Sequence, residues 1–547
     1  MKRIILFALT FTTILSSFAQ KSIIDNAEDK IKIFNAHQSY MRGHTEDVRK
    51  ALGLFRDVYS NRQSDGEIAY WIGACNLALG DIEHAREFYE KADQINTNSH
   101  VNLHLDLGKV YQMDGETDKA IEQFEKYKSA NTNPKTLKES DVDHFLEQCR
   151  TAKDLTAKAI DVTFENMGQI INSQYDDKRP SLSADGKTFI FTSRRPRDRE
   201  SVVDKEGDGK YFEDIYISRW DSAKNGWEDP DLIPGAVNTE THDAACSISP
   251  DGKTIFLYKN DAIEARGGDI WYSKVGSSGK WGTPKPMGKP VNTTYWEDGA
   301  CLSPDGSTLF YISEAPGKTA IGKGDIYMAK RKGKSSEWEK PVNLGAVVNT
   351  THDEGAPYIA ADGKTLFFCS EGHNSMGSYD IFKTTVDANG VWSKPENLGY
   401  PINTIGAEKS FIISTDGNTA YIASDRKGGF GERDIYKVDV SRYNLIGKLG
   451  SKNTEPALSI LKGTIYTSDT GQPLEADITF TDAAGNKAGS TTSSTEGDYF
   501  ITLKGNAKYT IKVEVKGYKP AEETVELKEG KGGTIYSLVK HFLMNKK

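Results

Sequence analysis

Residues 291–327 read VNTTYWEDGACLSPDGSTLFYISEAPGKTAIGKGDIY, and this pattern recurs five times between residues 161 and 440. Its anchor is an Asp-Gly pair, at Asp185-Gly186, Asp251-Gly252, Asp305-Gly306, Asp362-Gly363 and Asp416-Gly417. Before each pair, in fixed register, stand an asparagine (Asn172, Asn238, Asn292, Asn349, Asn403) and an acid (Asp177, Asp243, Glu297, Glu354, Glu408). After it comes an apolar, aromatic-rich run such as Thr365-Leu366-Phe367-Phe368. A second run then opens on Asp-Ile-aromatic, as in Asp214-Ile215-Tyr216, Asp269-Ile270-Trp271, Asp325-Ile326-Tyr327, Asp380-Ile381-Phe382 and Asp434-Ile435-Tyr436. A register kept over five copies marks a repeat array.

Asp-Gly between β-rich runs signals a hairpin, because glycine accepts the positive φ of a tight turn. Each unit supplies two hairpin-linked strands and a third near Trp-x-x-Pro (Trp227, Trp281, Trp338, Trp392). About four short strands in a unit of roughly 55 residues is the size of one propeller blade. The expectation for residues 161–442 is a five-bladed β-propeller, whose blades bury their faces on one another and leave few edges.

The repeat is one part of a multidomain chain of 547 residues. A formal net charge of −9, with no basic run, argues against a nucleic-acid binder. Residues 1–19 read as a signal peptide: Lys2 and Arg3, an apolar stretch from Ile4 to Leu15, then Ser17-Phe18-Ala19 as a small-x-small cleavage site. No cysteine lies there to take a lipid, and no later run is long and apolar enough to span a bilayer. The expectation is an exported, periplasmic protein, peripheral to the outer membrane and not a lipoprotein. Five cysteines (Cys75, Cys149, Cys246, Cys301, Cys369) show no metal-ligand spacing and read as small buried hydrophobes. The one-residue offset of Cys246 and Cys301 from their turns points them to opposite faces and works against a disulfide.

Residues 25–158 have helical periodicity. Gly73, Gly80, Ala85 and Tyr89 align with Gly108, Gly115, Ala120 and Phe124, and an upstream copy keeps Gly43, Ala51 and Phe55. The spacing resembles the tetratricopeptide repeat, here three copies, the first degenerate, then a capping helix from Leu137 to Ala159; such solenoids bind peptides or partner proteins. Residues 441–459 read as a linker. A fresh β pattern over 460–540, with Gly471-Gln472-Pro473-Leu474, Glu496-Gly497-Asp498-Tyr499 and Gly517-Tyr518, resembles the carboxypeptidase regulatory-like domain, a small β-sandwich without catalytic machinery.

No catalytic constellation is present: no Gly-x-Ser-x-Gly elbow, no His-Glu-x-x-His and no phosphate loop. His242-Asp243 and His352-Asp353 recur by blade and lack a nucleophile beside them. Asp204, Glu206 and Asp208 lie in a charged insertion in the first unit but miss the EF-hand pattern. No metal or cofactor is expected. The candidate binding residues are the recurrent acids Asp177, Asp243, Glu297, Glu354 and Glu408. Set near the axis they would focus a negative field on a cation or a basic peptide. Alternatively they build the blade, the asparagine taking a left-handed turn and bonding its own backbone while the acid accepts backbone N–H groups between blades.

Val291-Asn292-Thr293, Ser303-Pro304-Asp305-Gly306 and Gly324-Asp325-Ile326-Tyr327 resemble the WD40-like repeat of TolB-type propellers. The order of helical repeats, propeller and regulatory-like domain resembles Bacteroidota envelope proteins of type IX secretion and gliding motility. In that family an OmpA-like peptidoglycan-binding domain normally follows and a lipoprotein cysteine often precedes. This sequence shows neither, which leaves a shortened relative or one that reaches the envelope through partners. The resemblance implies a non-enzymatic periplasmic scaffold binding outer-membrane secretion or motility components. The alternative is a propeller that binds or senses an envelope peptide or glycan.

Overall fold

The computed structural model describes residues 27–204, 208–259, 268–332, 337–446, 449, 457–530 and 535–547. The signal peptide and Glu206 of the charged insertion lie outside the described residues. The chain divides into two compact units that meet within one helix, the first running to Arg150 and the second from Thr151.

The first unit is helical. Its elements are α1 (27–42), α2 (Thr45–Asn61), α3 (Gly66–Ala78), α4 (Ile82–Ile95), α5 (Leu103–Met113), α6 (Thr117–Ala130), α7 (Pro134–Ser140) and α8 (Val142–Ala157). The pairs α1–α2, α3–α4 and α5–α6 are joined by glycines at φ 74°, 78° and 81° (Gly43, Gly80, Gly115), the left-handed cap that ends a helix without a Cβ penalty. Glycine also sets the packing within a pair. A Cβ at Gly73 would lie 2.7 Å from the Tyr89 ring and one at Gly108 2.6 Å from Phe124, so each aromatic lies directly on bare helix backbone. The expected single capping helix is broken in two. Asp141 turns left-handed (φ 57°) between α7 and α8, and Gln148 of α8 takes a buried bond from Gln112 at 3.0 Å.

The second unit is strand-rich and made of small sheets. Five are antiparallel meanders: Asp177–Leu182, Thr188–Ser193 and Asp214–Asp221; Ala244–Ile248, Thr254–Lys259 and Asp269–Lys274; Glu297–Leu302, Thr308–Ser313 and Asp325–Lys330; Glu354–Ile359, Thr365–Ser370 and Asp380–Thr385; and Phe411–Ile413, Thr419–Ser424 and Asp434–Asp439. The first four add two-residue outer strands after the conserved Trp, such as Val342–Asn343 and Glu396–Asn397. The outer strand of the fifth is Thr163–Asn166, which precedes the first sheet in sequence. The leading strand of each sheet contacts that of the next, and the fifth contacts the first, so the five form a closed cycle. Bonds across the seams hold it, among them Ser247 Oγ to the Ala300 carbonyl (2.7 Å) and Tyr358 Oη to the Ile413 carbonyl (2.8 Å). All five Asp-Gly turns have glycine at φ 67° to 74°, as a tight turn requires.

The repeated asparagine does not take a left-handed turn. Its amide bonds both peptide groups of the isoleucine in Asp-Ile-aromatic of the preceding sheet: Asn349 accepts from the Ile326 N–H (2.9 Å) and donates to its carbonyl (3.1 Å). Asn403 does the same to Ile381, and Asn172, across the closure, to Ile435. The amide carries one acceptor and a donor group, so it stands in for a peptide of one more strand.

The remaining strands form two sheets around one core containing Leu461, Ile465, Ile478, Phe480, Ile501, Ile511 and Val513. One sheet contains Asp498–Lys504, Leu458–Thr467, Ser537–Val539 and Phe542–Met544, the other Lys487–Thr492, Asp477–Asp482, Ala507–Glu514 and Ala521–Leu527. Phe542–Met544 extends this domain past the expected boundary at 540, by parallel pairing with Ile465–Thr467. The domain rests on the Asp-Gly turns of the cycle. Thr491 donates to the Asp305 carbonyl (3.1 Å), Thr502 to that of Ala361, and Lys253 pairs with Asp498 (2.6 Å).

Candidate functional site

With the C-terminal domain on the turns, the other end of the axis is where the leading strands begin. There a funnel of about 400 Å3 opens, lined by residues of all five sheets; only about 30 Å3 remains between the strands at the turn end.

Among the five recurrent acids, Glu354 reaches the funnel wall. All five are buried and turned into their own loops, where they accept from the N–H and hydroxyl of the residue four positions earlier. For Glu297 these are Thr293 N (2.8 Å) and Oγ1 (2.6 Å), and for Asp177 Ser173 N (2.6 Å) and Oγ (2.7 Å). Their second partners differ. Asp177 pairs with Arg195 and Asp243 with Lys259, whereas Glu297, Glu354 and Glu408 reach Ser313, Ser370 and Ser424. Burial without a salt-bridge partner pushes the carboxyls of Glu354 and Glu408 up to about 7. These acids do not form an exposed ring around the axis, and the N–H groups they accept belong to their own loop rather than to the neighbouring blade, so their bonds brace each loop.

The funnel is made by the residues just after the acid. A bulge interrupts the leading strand of the first four sheets, and residues at this step turn left-handed: Arg179 (φ 52°), Gly299 (φ 67°) and Ala356 (φ 41°). Such a bulge redirects side chains out of the sheet pattern. The position immediately after the acid reads Lys178, Ala244, Asp298, Gly355 and Lys409, with no rule shared by the five copies. A constant acid beside a divergent neighbour is the sequence signal of this site, and the repeat pattern drew attention to the wrong member of the pair.

At the floor, Arg179 crosses from the first sheet to the third and holds Asp298 with both Nη groups, Nη1–Oδ1 at 2.8 Å. The Cys246 thiol donates to the same carboxylate at 3.2 Å. Burial opposes the charge on Asp298, but Arg179 holds its carboxyl below the ordinary range. Burial pushes the Cys246 thiol up, so it stays a donor. This cysteine is half-buried at the cavity wall, while Cys75, Cys149, Cys301 and Cys369 are buried.

The wall has two unlike sectors. On the first and fifth sheets the charges satisfy one another. Arg433 grips Asp176 at 2.7 and 2.6 Å, Lys178 lies 3.3 Å from Asp176 and bonds Glu213, and Arg194 reaches Glu213 at 3.4 Å. Burial opposes ionisation of Glu213, yet Lys178, Arg194 and Arg179 bring its carboxyl down to about 2. His242 accepts the Glu213 N–H at 3.2 Å, a structural duty. On the third and fourth sheets stand Trp296, Tyr379, Glu314 and Asp353, with Lys409 from the fifth sheet placing its ammonium 4.5 Å over the Tyr379 ring. Asp353 takes the Gly324 N–H at 3.0 Å, and Glu314 makes no side-chain bond among the described residues. Burial, then the neighbouring Asp353, raises the Glu371 carboxyl beside them.

Residues 66–99 match the tetratricopeptide repeat, and residues 460–537 match the carboxypeptidase regulatory-like domain. No curated protein matches the sequence. Among solved structures, the Yersinia enterocolitica type III secretion chaperone SycD in complex with a peptide of the translocator YopD is similar at 18% identity, over 23% of this chain and 93% of that one, with a TM-score of 0.21. The β-propeller domain of the Trilobed protease from Pyrococcus furiosus is similar at 11% identity over 66% of this chain and 85% of that one, TM-score 0.24. An α-L-arabinofuranosidase from Lactobacillus brevis is similar at 16% identity over 52% and 95%, TM-score 0.32. Scores this low leave the function to be argued from the chain's own residues. No helix among the described residues is long and apolar enough to cross a membrane.

Proposed function

We propose that the chain is a non-enzymatic scaffold of the cell envelope that gathers protein partners. In this reading a tetratricopeptide-type solenoid is followed by a five-bladed, WD40-like propeller of the TolB type and a β-sandwich. The observation that carries it is the helical repeat matched at 66–99, a fold class whose stacked helices bind protein. Support comes from the funnel floor, where Arg179–Asp298 and the Glu213 network tie up charge in ion pairs rather than pose an acid against a base. Export by residues 1–19 would place it in the periplasm beside the outer membrane. The order of its domains makes components of a type IX secretion or gliding machine the partners to look for. The test is affinity purification from envelope fractions of cells making the full chain or one lacking residues 27–158. A defined set of envelope proteins should accompany the first and be lost with the second; the same set with both would overturn the assignment. A second reading, binding of an envelope peptide or glycan, is favoured by the open funnel with Trp296 and Tyr379 in its wall.

A further inference from the structure

The C-terminal domain occupies the turn end of the cycle through Thr491, Thr502 and Asp498, and the funnel lies at the end of the axis that this domain leaves uncovered. The funnel's two sectors offer different chemistry to whatever enters. In the sector of Asp176, Lys178, Arg194, Glu213 and Arg433 every charge already has a counter-charge, and an incoming ion would have to break one of these pairs. The opposite sector holds two aromatic rings, the exposed carboxylate of Glu314 and the carboxylate of Asp353, whose Oδ1 takes a backbone N–H and whose Oδ2 lies 3.8 Å from the exposed Lys323. One face of Tyr379 already holds the chain's own Lys409 ammonium at 4.5 Å, which leaves Trp296 as the aromatic partner for an incoming cation.

We propose that the funnel seats a basic side chain of a protein partner, arginine or lysine, beside Trp296 and against Glu314 and Asp353. The inference rests on the scaffold reading and names the chemistry of one contact within it. A cavity of about 400 Å3 holds one or two side chains and not a folded domain, so the partner inserts an extended segment or loop tip. Arginine fits best, because its planar guanidinium stacks on an aromatic face while its forked N–H groups pair with a carboxylate. The Arg179–Asp298 pair closes the floor beneath it and stops the segment from threading the axis.

The test is calorimetric titration of the full chain with a tetra-arginine peptide, with tetra-glutamate as counter-probe. One tetra-arginine should bind per chain and tetra-glutamate should not. The double variant Glu314→Gln, Asp353→Asn should lose at least about tenfold in affinity, the size of one charge-assisted hydrogen bond. Asparagine at 353 still accepts the Gly324 N–H, and an unchanged melting temperature confirms the fold. Because the chain carries a net charge of −9, a control changes two acids on an exposed face of the C-terminal domain, Glu522→Gln and Glu526→Gln. Equal losses in the two double variants, no loss in either, or no binding to the intact chain each overturn the proposal. Absent peptide binding, with envelope partners still retained through residues 27–158, removes this inference and leaves the scaffold. Peptide binding intact, with partner capture indifferent to that deletion, does the reverse.

Discussion

The helical unit and the cycle of sheets are both repeats, but they are locked by opposite means. In the helices the repeated lock is shape: Tyr89 and Phe124 lie on Gly73 and Gly108. In the sheets it is hydrogen bonding, with a buried carboxyl in every copy and an asparagine amide that is buried in four and half-buried at Asn238. The first kind of lock fails when an atom is added. The second fails when a partner is removed, and it feels pH.

The largest effect should come from removing a buried amide. Asn349→Ala leaves the N–H and carbonyl of Ile326 without that partner, at about 2 kcal/mol each, so the strand-rich unit should lose about 4 kcal/mol in urea unfolding. A loss under about 1 kcal/mol would mean that the asparagine is not the seam. Next comes the pH response. The Glu408 carboxyl keeps its proton up to about 7, while the unfolded chain releases it near the ordinary 4.5. Between these values the unfolded state binds fewer protons, so stability falls as pH rises and then levels above 7. Glu408→Gln should remove that fall, worth roughly 3 kcal/mol. Glu213 acts in the other direction: lowered to about 2, it stabilises above the ordinary 4.5, and that contribution is lost as pH falls towards 2.

A smaller effect is expected in the helices. Gly108→Ala places a methyl against the Phe124 ring, and its overpacking of about 2 kcal/mol is partly offset by about 1 kcal/mol of helix propensity. The net loss should appear as faster amide exchange in α5 and α6, with the sheets unchanged. The smallest is Lys253→Ala, which cuts a half-exposed ion pair between the C-terminal domain and the turn of the second sheet. It should cost about 0.5 kcal/mol, fading with salt; a larger loss would make that pair the main fastening of the domain.

Several of these elements were legible in the chain. The Asp-Gly turns and Asp-Ile-aromatic starts follow from local conformational preference, which needs no distant partner. The closing strand was legible too, though the repeat count passes over it. Asn166 and Gly168 stand six and four residues before Asn172, as Asn343 and Gly345 do before Asn349, and Asn397 and Gly399 before Asn403. In all three the asparagine side chain accepts from that glycine N–H and from the repeat asparagine, so 163–168 is the missing last strand of the fifth sheet moved to the front. The funnel was harder to read. A repeat draws the eye to what is constant, and constant residues build the frame.

The sequence by itself determined the number of β units, the register of their turns, the helical repeats and the small β domain after them, because each depends on contacts within one repeat or between neighbours in the chain. Tertiary structure alone decided which residues face the axis, that Arg179 would find Asp298 two sheets away, and which mouth the C-terminal domain covers. Those outcomes depend on a bulge that reverses side-chain direction and on closure of the cycle, and both bring together residues more than a hundred positions apart.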